Sequence, residues 1–227
     1  MQALLVAGTD TEVGKTMLTA SLLAYAQTHL QHLNWGIMKL MQTGLGDCEF
    51  YQQLFPSLEV VTPIYLKTPV APPVAAAIED QEINLGLVWQ ALRGLQTTKD
   101  VVLIEALGGL GSPVTDELTV ADLAGDWRLS VVIVVPIKLG AIAQAVANVA
   151  LARSAKIQLR GIVLNCTQPL EDEEIAKLAP IGLIESLTHT PVLGIIPFVE
   201  KTTDLSQLAQ IAANLELERL LPIPVLL

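Results

Sequence analysis

A glycine-rich stretch near the start of the chain, "AGTDTEVGKT" from Ala7 to Thr16, combines the residue types that bind phosphate. It follows the apolar run "ALLV" and leads into a helical pattern, which is the strand–turn–helix context of a phosphate-binding loop. Glycines let the backbone approach an anion, and the free amides of the helix N-terminus attract it. Lys15 would place a charge beside the outer phosphates of a nucleotide, and the Thr16 hydroxyl would coordinate Mg²⁺. The alternative is an ordinary glycine turn before a helix.

The spacing of this loop departs by one residue from the common phosphate-loop pattern. That pattern places four residues between its first glycine and Gly-Lys-Ser/Thr. Here five residues separate Gly8 from Gly14, and Thr9 stands where the first glycine would be. The functional interpretation depends on whether this offset matters.

Carboxylates that could bind a metal ion with this loop stand at two places. Glu105 follows four apolar residues in "VVLIEALGG", and ligands of parallel sheets bind at such strand ends. Asp47 opens the segment "DCEFYQQLF". Each has a plainer alternative, because a strand-end glutamate often faces water and an aspartate before a helix is often an N-cap.

Two lysines also follow apolar, strand-like runs. Lys39 ends "WGIMK" and Lys138 ends "VVIVVPIK". The carboxyl ends of neighbouring parallel strands meet at one edge of a sheet, so both lysines are candidates for the same site. A solvated strand-end cation is the alternative for either residue alone.

The elements that must position these residues are visible as alternating apolar runs and helical patterns. Strand-like runs are "ALLVAG" and "WGIMKL", followed by four that are rich in β-branched residues, "VVLIEA", "VVIVVPI", "RGIVLNC" and "PVLGIIPF". Helical patterns include "GKTMLTASLLAYAQTHL", "DCEFYQQLF", "NLGLVWQALRGL" with Asn84 as N-cap, "AIAQAVANVALARSA", "DEEIAKLAPIGLIESL" and "LSQLAQIAANLELERLL". Continuously apolar strands are typical of a parallel sheet covered on both faces. The pattern predicts an α/β, doubly wound, mostly parallel sheet flanked by helices, in one domain over 1–227, with residues 40–80 as loops over a site.

The composition narrows the function classes. A net charge of −10 and a pI near 4.7 argue against a nucleic-acid-binding protein, although local cations can still bind an anion. The N-terminus lacks the basic region of a secretory signal. The apolar stretch around "VVIVVPIKLG" is interrupted by Pro136 and Gly140, so no membrane span is expected. Cys48 and Cys166 fit no disulfide or metal spacing, which suits a cytoplasmic protein.

With these motifs in place, the chain resembles the ATP-dependent dethiobiotin synthetases of biotin biosynthesis. "GTDTEVGKT" is similar to that family's phosphate loop, which has five spacer residues and acidic residues in the turn, so the offset is a family feature. "MKLMQTG", "VLIEALGG", "VVPIKLGAI", "GIVLNC" and "LGIIPF" resemble further family segments. The resemblance runs from the first strand to about residue 200.

The resemblance implies a role for each matching residue. The nucleotide would be held by Thr11, Glu12, Val13, Gly14, Lys15, Thr16, Asn165, Pro197, Phe198 and Val199. Mg²⁺ would lie among Thr16, Asp47 and Glu105, and Lys15 and Lys39 would be catalytic. The diamine substrate would contact Thr43, Gly108, Gly109, Lys138, Leu139 and Gly140.

The implied reaction joins 7,8-diaminononanoate, CO₂ and ATP into dethiobiotin, ADP and phosphate through a carbamate. The implied assembly is a homodimer in which the helix start at "KLGAIAQ" reaches the neighbouring site. Three residues depart from the family pattern: Leu40 replaces a proline, Ala106 a glycine and Pro73 a histidine. Leu40 and Ala106 lie beside the expected substrate site.

Three rival functions fit the sequence less well. An amide-forming synthase of the cobyrinate type normally carries a glutaminase domain, for which 227 residues leave no room. A partitioning or switch ATPase has an extra lysine early in its phosphate loop, where Thr9 and Asp10 stand here. A GTP-driven switch needs Asn-Lys-x-Asp, whereas this chain has "LNCTQ".

Overall fold

The computed structural model describes residues 2–200 and 203–221. Its strands are β1 Gln2–Gly8, β2 Trp35–Lys39, β3 Gln42–Thr43, β4 Val60–Val61, β5 Tyr65–Leu66, β6 Val101–Gly109, β7 Ser130–Pro136, β8 Gln158–Asn165 and β9 Val192–Ile196. Its helices are α1 Lys15–His29, α2 Asp47–Leu54, α3 Pro72–Ile78, α4 Leu85–Thr98, α5 Val120–Asp126, α6 Ala141–Ser154, α7 Asp172–Leu178, α8 Ile181–Thr188, α9 Leu205–Ala213 and α10 Leu217–Leu220.

Seven strands form one parallel sheet in the order β4-β2-β6-β1-β7-β8-β9. The first strand of the chain is central, with β6 on one side and β7 on the other. On the β7 side the strands follow in chain order to β9, whereas on the other side β6 lies between β1 and β2. The chain thus winds in both directions from β1, which is the arrangement of a doubly wound sheet. β3 and β5 form a separate two-stranded parallel ribbon. The predicted α/β fold class is confirmed.

Helices cover both faces of the sheet. Successive side chains of β1 point to opposite faces, so Leu4 and Val6 belong to one core cluster and Leu5 and Ala7 to the other. The first cluster packs against α1, α2, α9 and α10, and the second against α4, α5, α6 and α8. Burial on both faces explains why the strands are continuously apolar.

Local sequence signals explain several helix ends. Asn84 caps α4 as expected, because its side chain accepts hydrogen bonds from the amides of Gly86 and Leu87. The single helix expected over "DEEIAKLAPIGLIESL" is instead two, since Pro180 follows α7 and starts α8. A proline has no amide hydrogen for the helix ladder and disfavours a helical residue before it.

The final predicted helix is likewise divided. α9 ends at Ala213, the Glu216 amide donates to the Leu193 carbonyl, and α10 begins at Leu217. Segment 40–80 was expected as loops apart from the helix over "DCEFYQQLF", which is α2. It also contains α3 and the short strands β3, β4 and β5. α3 and the three strands are too short to give a clear periodicity. Within the described ranges, none of the helices combines the length and apolar character needed to cross a bilayer.

Candidate active site

A pocket of about 480 Å³ lies at the carboxyl edge of the central strands. The loop after β1, the ends of β2 and β6, the ribbon strand β3 and the start of α2 form its walls. Its lining residues are Thr11, Glu12, Gly14, Lys15, Thr16, Lys39, Met41, Gln42, Thr43, Leu45, Gly46, Asp47, Pro69, Glu105, Leu107 and Gly108. Residues from distant parts of the chain therefore meet where parallel sheets bind ligands.

The glycine-rich loop closes tightly over the end of β1. Gly14, with φ 101°, is the N-cap of α1, and the Lys15 Nζ donates to the Asp10 carbonyl at 2.9 Å. Glu12 also has a positive φ of 54°, which is uncommon for a side chain of this kind. The extra spacer residue is thus accommodated within a compact turn.

Lys15 is almost fully buried, although it carries a charged group. Burial lowers its pKa to about 8, against the opposing effect of the Glu105 charge. Its ammonium donates a hydrogen bond to a carbonyl and, among the described residues, forms no ion pair. An anionic ligand in the pocket would supply the missing counter-charge.

Next to Lys15, oxygen atoms from three elements converge. The Thr16 Oγ1 lies 2.9 Å from Asp47 Oδ1 and 3.1 Å from Glu105 Oε1. Asp47 is the first residue of α2, whose N-cap is Gly46, so its carboxylate points to Thr16 instead of capping the helix. Glu105 is fully buried in the middle of β6, which continues to Gly109, so it does not end its strand as expected. Asp47 is therefore not the N-cap of α2, and Glu105 does not face water.

Lys39 lies between the two carboxylates. Its Nζ is 2.6 Å from Glu105 Oε1 and also pairs with Asp47. The β2–β6 register sets this arrangement, because Lys39 stands directly beside Glu105. Burial acts to lower the pKa of Lys39, but the charges of Glu105 and Asp47 outweigh it and raise the pKa. Burial acts to raise the pKa of Asp47, and the Lys39 charge reverses this.

This donor set fits Mg²⁺. Magnesium prefers oxygen ligands and is usually held by one or two carboxylates, with water and substrate phosphate completing its shell. Thr16 supplies a hydroxyl, and Asp47 and Glu105 supply two carboxylates that each lie within hydrogen-bond distance of it. In the described part of the chain, no group of three or more His, Cys, Asp or Glu side chains forms an all-protein metal site.

Tyr51 is a site residue that the sequence analysis missed. It is fully buried in α2, and its hydroxyl donates to Glu105 Oε2. Burial raises its pKa well above 10, so the hydroxyl stays protonated as a donor. The available signal was its position four residues after Asp47, which puts both side chains on one face of α2.

Gln42 is a second residue that sequence analysis missed. Its side chain accepts from the Cys48 amide at 3.0 Å and donates to the Gly44 carbonyl at 3.1 Å and to Glu49 Oε2 at 3.0 Å. Glu49 in turn accepts from the Gly46 amide at 2.9 Å. These bonds tie the Thr43 segment to the start of α2, which carries Asp47.

Replacing Tyr51 with phenylalanine is expected to lower the free energy of unfolding by about 1.5–3 kcal/mol. The reason is that a buried carboxylate loses a hydrogen bond from a neutral donor while the aromatic packing is kept. Urea unfolding measures this loss. Tyr25→Phe is the matched control, because Tyr25 is a half-buried tyrosine of α1 that packs on the His29 ring. Equal effects of the two substitutions would contradict the role of Tyr51.

The remaining predicted residues lie outside the lining of this pocket. Asn165 ends β8, and its Nδ2 donates to the Val13 carbonyl at 2.9 Å. Pro197, Phe198 and Val199 follow β9, with Phe198 exposed and Val199 buried. Lys138, Leu139 and Gly140 are exposed at the start of α6, whereas Gly109 is buried at the end of β6.

Comparisons with known proteins agree with the motifs. The family described as an AAA domain matches residues 2–206. The ATP-dependent dethiobiotin synthetase of Gloeothece citriformis is 60% identical over 98% of this chain and all of its own length. The chain belongs to the ATP-dependent dethiobiotin synthetase family. The corresponding protein of Crocosphaera subtropica is 59% identical over 97% of this chain and all of its own length.

Membership of the dethiobiotin synthetase family confirms the predicted resemblance and the prediction that the chain is an enzyme. Among solved structures, a ParA family ATPase from Chlorobium tepidum has a TM-score of 0.59 at 13% identity, covering 96% of this chain and 98% of its own. A chain of the MinC:MinD cell division protein complex from Aquifex aeolicus has a TM-score of 0.58 at 13% identity, covering 93% of this chain and 86% of its own. At this identity the likeness shows a shared fold alone.

Proposed function

We propose that this chain catalyses the ATP-dependent closure of 7,8-diaminononanoate and CO₂ to dethiobiotin, with ADP and phosphate as the other products, in biotin biosynthesis. The observation that carries this proposal is the convergence of Lys15, Lys39 and the Thr16–Asp47–Glu105 oxygens in one pocket of a family member. Such a pocket combines phosphate binding with charge stabilisation, and both are needed for phosphoryl transfer.

The proposed chemistry has three steps. One amine of the substrate adds to CO₂ and loses a proton, which gives a carbamate. A carbamate oxygen then attacks the γ-phosphorus of ATP, forming a carbamic-phosphoric anhydride and releasing ADP. The second amine attacks the carbamate carbon and expels phosphate, closing the ureido ring. None of these steps requires a covalent bond to the protein.

The protein contributes positioning and charge. Lys15 follows Gly14 at the start of α1, where its ammonium would stabilise charge on the transferring phosphoryl group. Lys39 ends β2 in the same pocket as Thr43, so it would hold the carbamate while Thr43 orients the amine end. Gly108 lies in the same lining and Gly109 next to it, where their backbone would approach the diamine.

The nucleotide and metal ion have their own residues. Thr11, Glu12, Val13 and Gly14 would surround the phosphates, and Asn165, Pro197, Phe198 and Val199 would hold adenine beyond them. Thr16, Asp47 and Glu105 would bind Mg²⁺, which supplies neutralisation of phosphate charge when it is bound. We place this activity in a single domain over 1–227, in the cytoplasm.

An ADP-release assay tests the function directly. Release should depend on both 7,8-diaminononanoate and bicarbonate, and mass spectrometry should detect dethiobiotin in equal amount. Omitting either substrate should reduce ADP release to background. ADP release that does not depend on the diamine would instead favour a partitioning or switch ATPase.

We further propose a homodimer with a shared site, in which Lys138, Leu139 and Gly140 bind the substrate carboxylate of the neighbouring subunit. Leu139 is 89% exposed, and the first turn of a helix such as α6 presents backbone amides without intrahelical partners, which suit an anion. Next to it, α6 exposes small side chains at helical spacing, namely Ala143, Ala147 and Ala150. A helix face of this kind can pack closely across a two-fold axis.

Ala147→Glu is expected to convert the dimer into a monomer and to reduce activity, because a charge enters the proposed interface. Sedimentation equilibrium measures the assembly state. Ala213→Glu is the matched control, since Ala213 is an exposed alanine at the end of α9, on the opposite face of the sheet. A wild-type monomer with full activity would exclude the shared site.

Mixing two inactive variants tests the sharing itself. Lys15→Ala and Leu139→Asp chains affect different halves of each proposed site. Random mixing should restore about one quarter of the wild-type sites, because half of the dimers are mixed and one site in each is intact. No recovery in mixed dimers would place both residues in the same subunit's site.

A further inference from the structure

The side chain of Asn165 connects the end of β8 to the phosphate loop at the other end of the chain's sequence. Its Nδ2 donates to the Val13 carbonyl at 2.9 Å across 152 residues. Asn165 is only 5% exposed, and its own carbonyl accepts from the Ile137 amide at 2.8 Å. The donor therefore stands on a strand end that is itself held by the sheet.

A second contact fixes the same part of the loop. A Cβ atom on Gly14 would lie 2.1 Å from the Nδ2 of Asn165, so the amide group packs directly against the Gly14 backbone. Gly14 has φ 101°, a conformation that other residues rarely adopt. The peptide between Val13 and Gly14 is thus held by a hydrogen bond on its carbonyl and by van der Waals contact beside it.

We propose that Asn165 is a positioning residue for phosphate binding, in addition to any contact with adenine. Rotation of the Val13–Gly14 peptide would turn the Gly14 amide and displace the first turn of α1, which carries Lys15 and Thr16. Asn165 opposes that rotation by holding the Val13 carbonyl. This proposal rests on the proposed nucleotide-binding function of the loop.

The chemistry of a primary amide allows both roles at once. The Asn165 side chain has two N–H donors and an oxygen acceptor, and Val13 takes one donor. Among the described residues the second donor and the oxygen form no hydrogen bond, so both could pair with the edge of a purine base. One side chain would then both recognise the base and hold the phosphate loop in position. Its loss should therefore weaken the binding even of ligands that have no base.

Inorganic tripolyphosphate with Mg²⁺ is the probe that separates the two roles. Asn165→Leu keeps a side chain of similar size and removes both polar atoms. We expect it to weaken the binding of both ATP and tripolyphosphate by about tenfold or more in calorimetric titrations, because a mispositioned loop loses contacts with the phosphates themselves. Phe198 is a proposed adenine-binding residue, so Phe198→Ala should weaken ATP binding and leave tripolyphosphate binding near the wild-type value.

Steady-state kinetics give a second readout that a loss of stability alone would not produce. Asn165→Leu should lower kcat at saturating ATP, because Lys15 would be displaced from the phosphoryl group, whereas Phe198→Ala should mainly raise the KM for ATP. Asn165→Ser, which is too short to reach Val13, should behave like Asn165→Leu and provides the test if the leucine variant does not fold.

Each outcome decides a separate question. Weaker binding of both ATP and tripolyphosphate by folded Asn165 variants supports the positioning role. Loss of ATP binding alone, or of neither, overturns it and limits Asn165 to the base or to structure. If the wild-type protein binds neither ATP nor tripolyphosphate, the phosphate-loop function itself is wrong and this inference is overturned with it.

Discussion

Lys15→Ala is expected to lower ATP turnover by at least about 10²–10³-fold while the protein remains folded, because removal of one preorganised charge at a transferring group has effects of this size. The residue stands at the start of α1 and lines the pocket at the carboxyl edge of the sheet. Stability should not fall greatly, since burial disfavours the charge of Lys15 and its hydrogen bond goes to a neutral carbonyl. ADP release and urea unfolding measure the two effects.

Lys177→Ala is the control for this substitution. Lys177 is an exposed lysine of α7 that pairs with Glu173 on the protein surface, and such pairs contribute little to stability. Its loss should leave both ADP release and unfolding nearly unchanged. Normal turnover by a folded Lys15→Ala protein would show that the loop does not bind the transferred phosphate.

Lys39→Met is expected to reduce dethiobiotin formation far more than ATP binding, since we place Lys39 on the carbamate. Without Mg²⁺ it should also lower the free energy of unfolding by about 3–5 kcal/mol, because removal of Lys39 leaves the buried Glu105 carboxylate without its ion-pair partner. Methionine preserves most of the apolar stem, so the effect reports the charge. Calorimetry with ATP, product analysis and urea unfolding separate the three quantities.

Two further measurements check this interpretation of Lys39. Adding Glu105→Gln to Lys39→Met should recover part of the lost stability, because the buried negative charge is removed along with its partner. Mg²⁺ should stabilise Lys39→Met more than wild type if the ion takes the place of the lysine between Asp47 and Glu105. Equal losses of ATP binding and product formation would instead place Lys39 on the nucleotide.

Much of the fold could be predicted because its signals are local. The continuously apolar runs at "VVIVVPI" and "RGIVLNC" predict buried parallel strands, and β7 and β8 occupy these positions. The interruptions at Pro180 and after Ala213 were missed, because a helical pattern continues across them. The short strands β3, β4 and β5 were missed because two residues give no periodicity.

The site could be predicted wherever residue type and strand end coincide. Lys15 and Thr16 stand where the phosphate-loop context predicts them, and Lys39 ends β2 as expected. Glu105 lies within β6 instead of at its end, but beside Lys39, and the pocket brings all four residues together. Asp47 could be assigned to the metal site only through the family resemblance, since an aspartate at a helix start is often an N-cap. The roles assigned to these residues remain predictions for the experiments above.

The sequence by itself determined the parallel α/β architecture, the phosphate loop and the family, because these depend on local periodicity and on a motif with a specific spacing. Only the tertiary structure decided how Lys39 pairs with both carboxylates, that Tyr51 holds Glu105, and that Asn165 holds the loop. The physical reason is that a hydrogen bond or ion pair between distant residues depends on strand register and helix docking. Those are set by the packing of the whole core, which no short segment encodes.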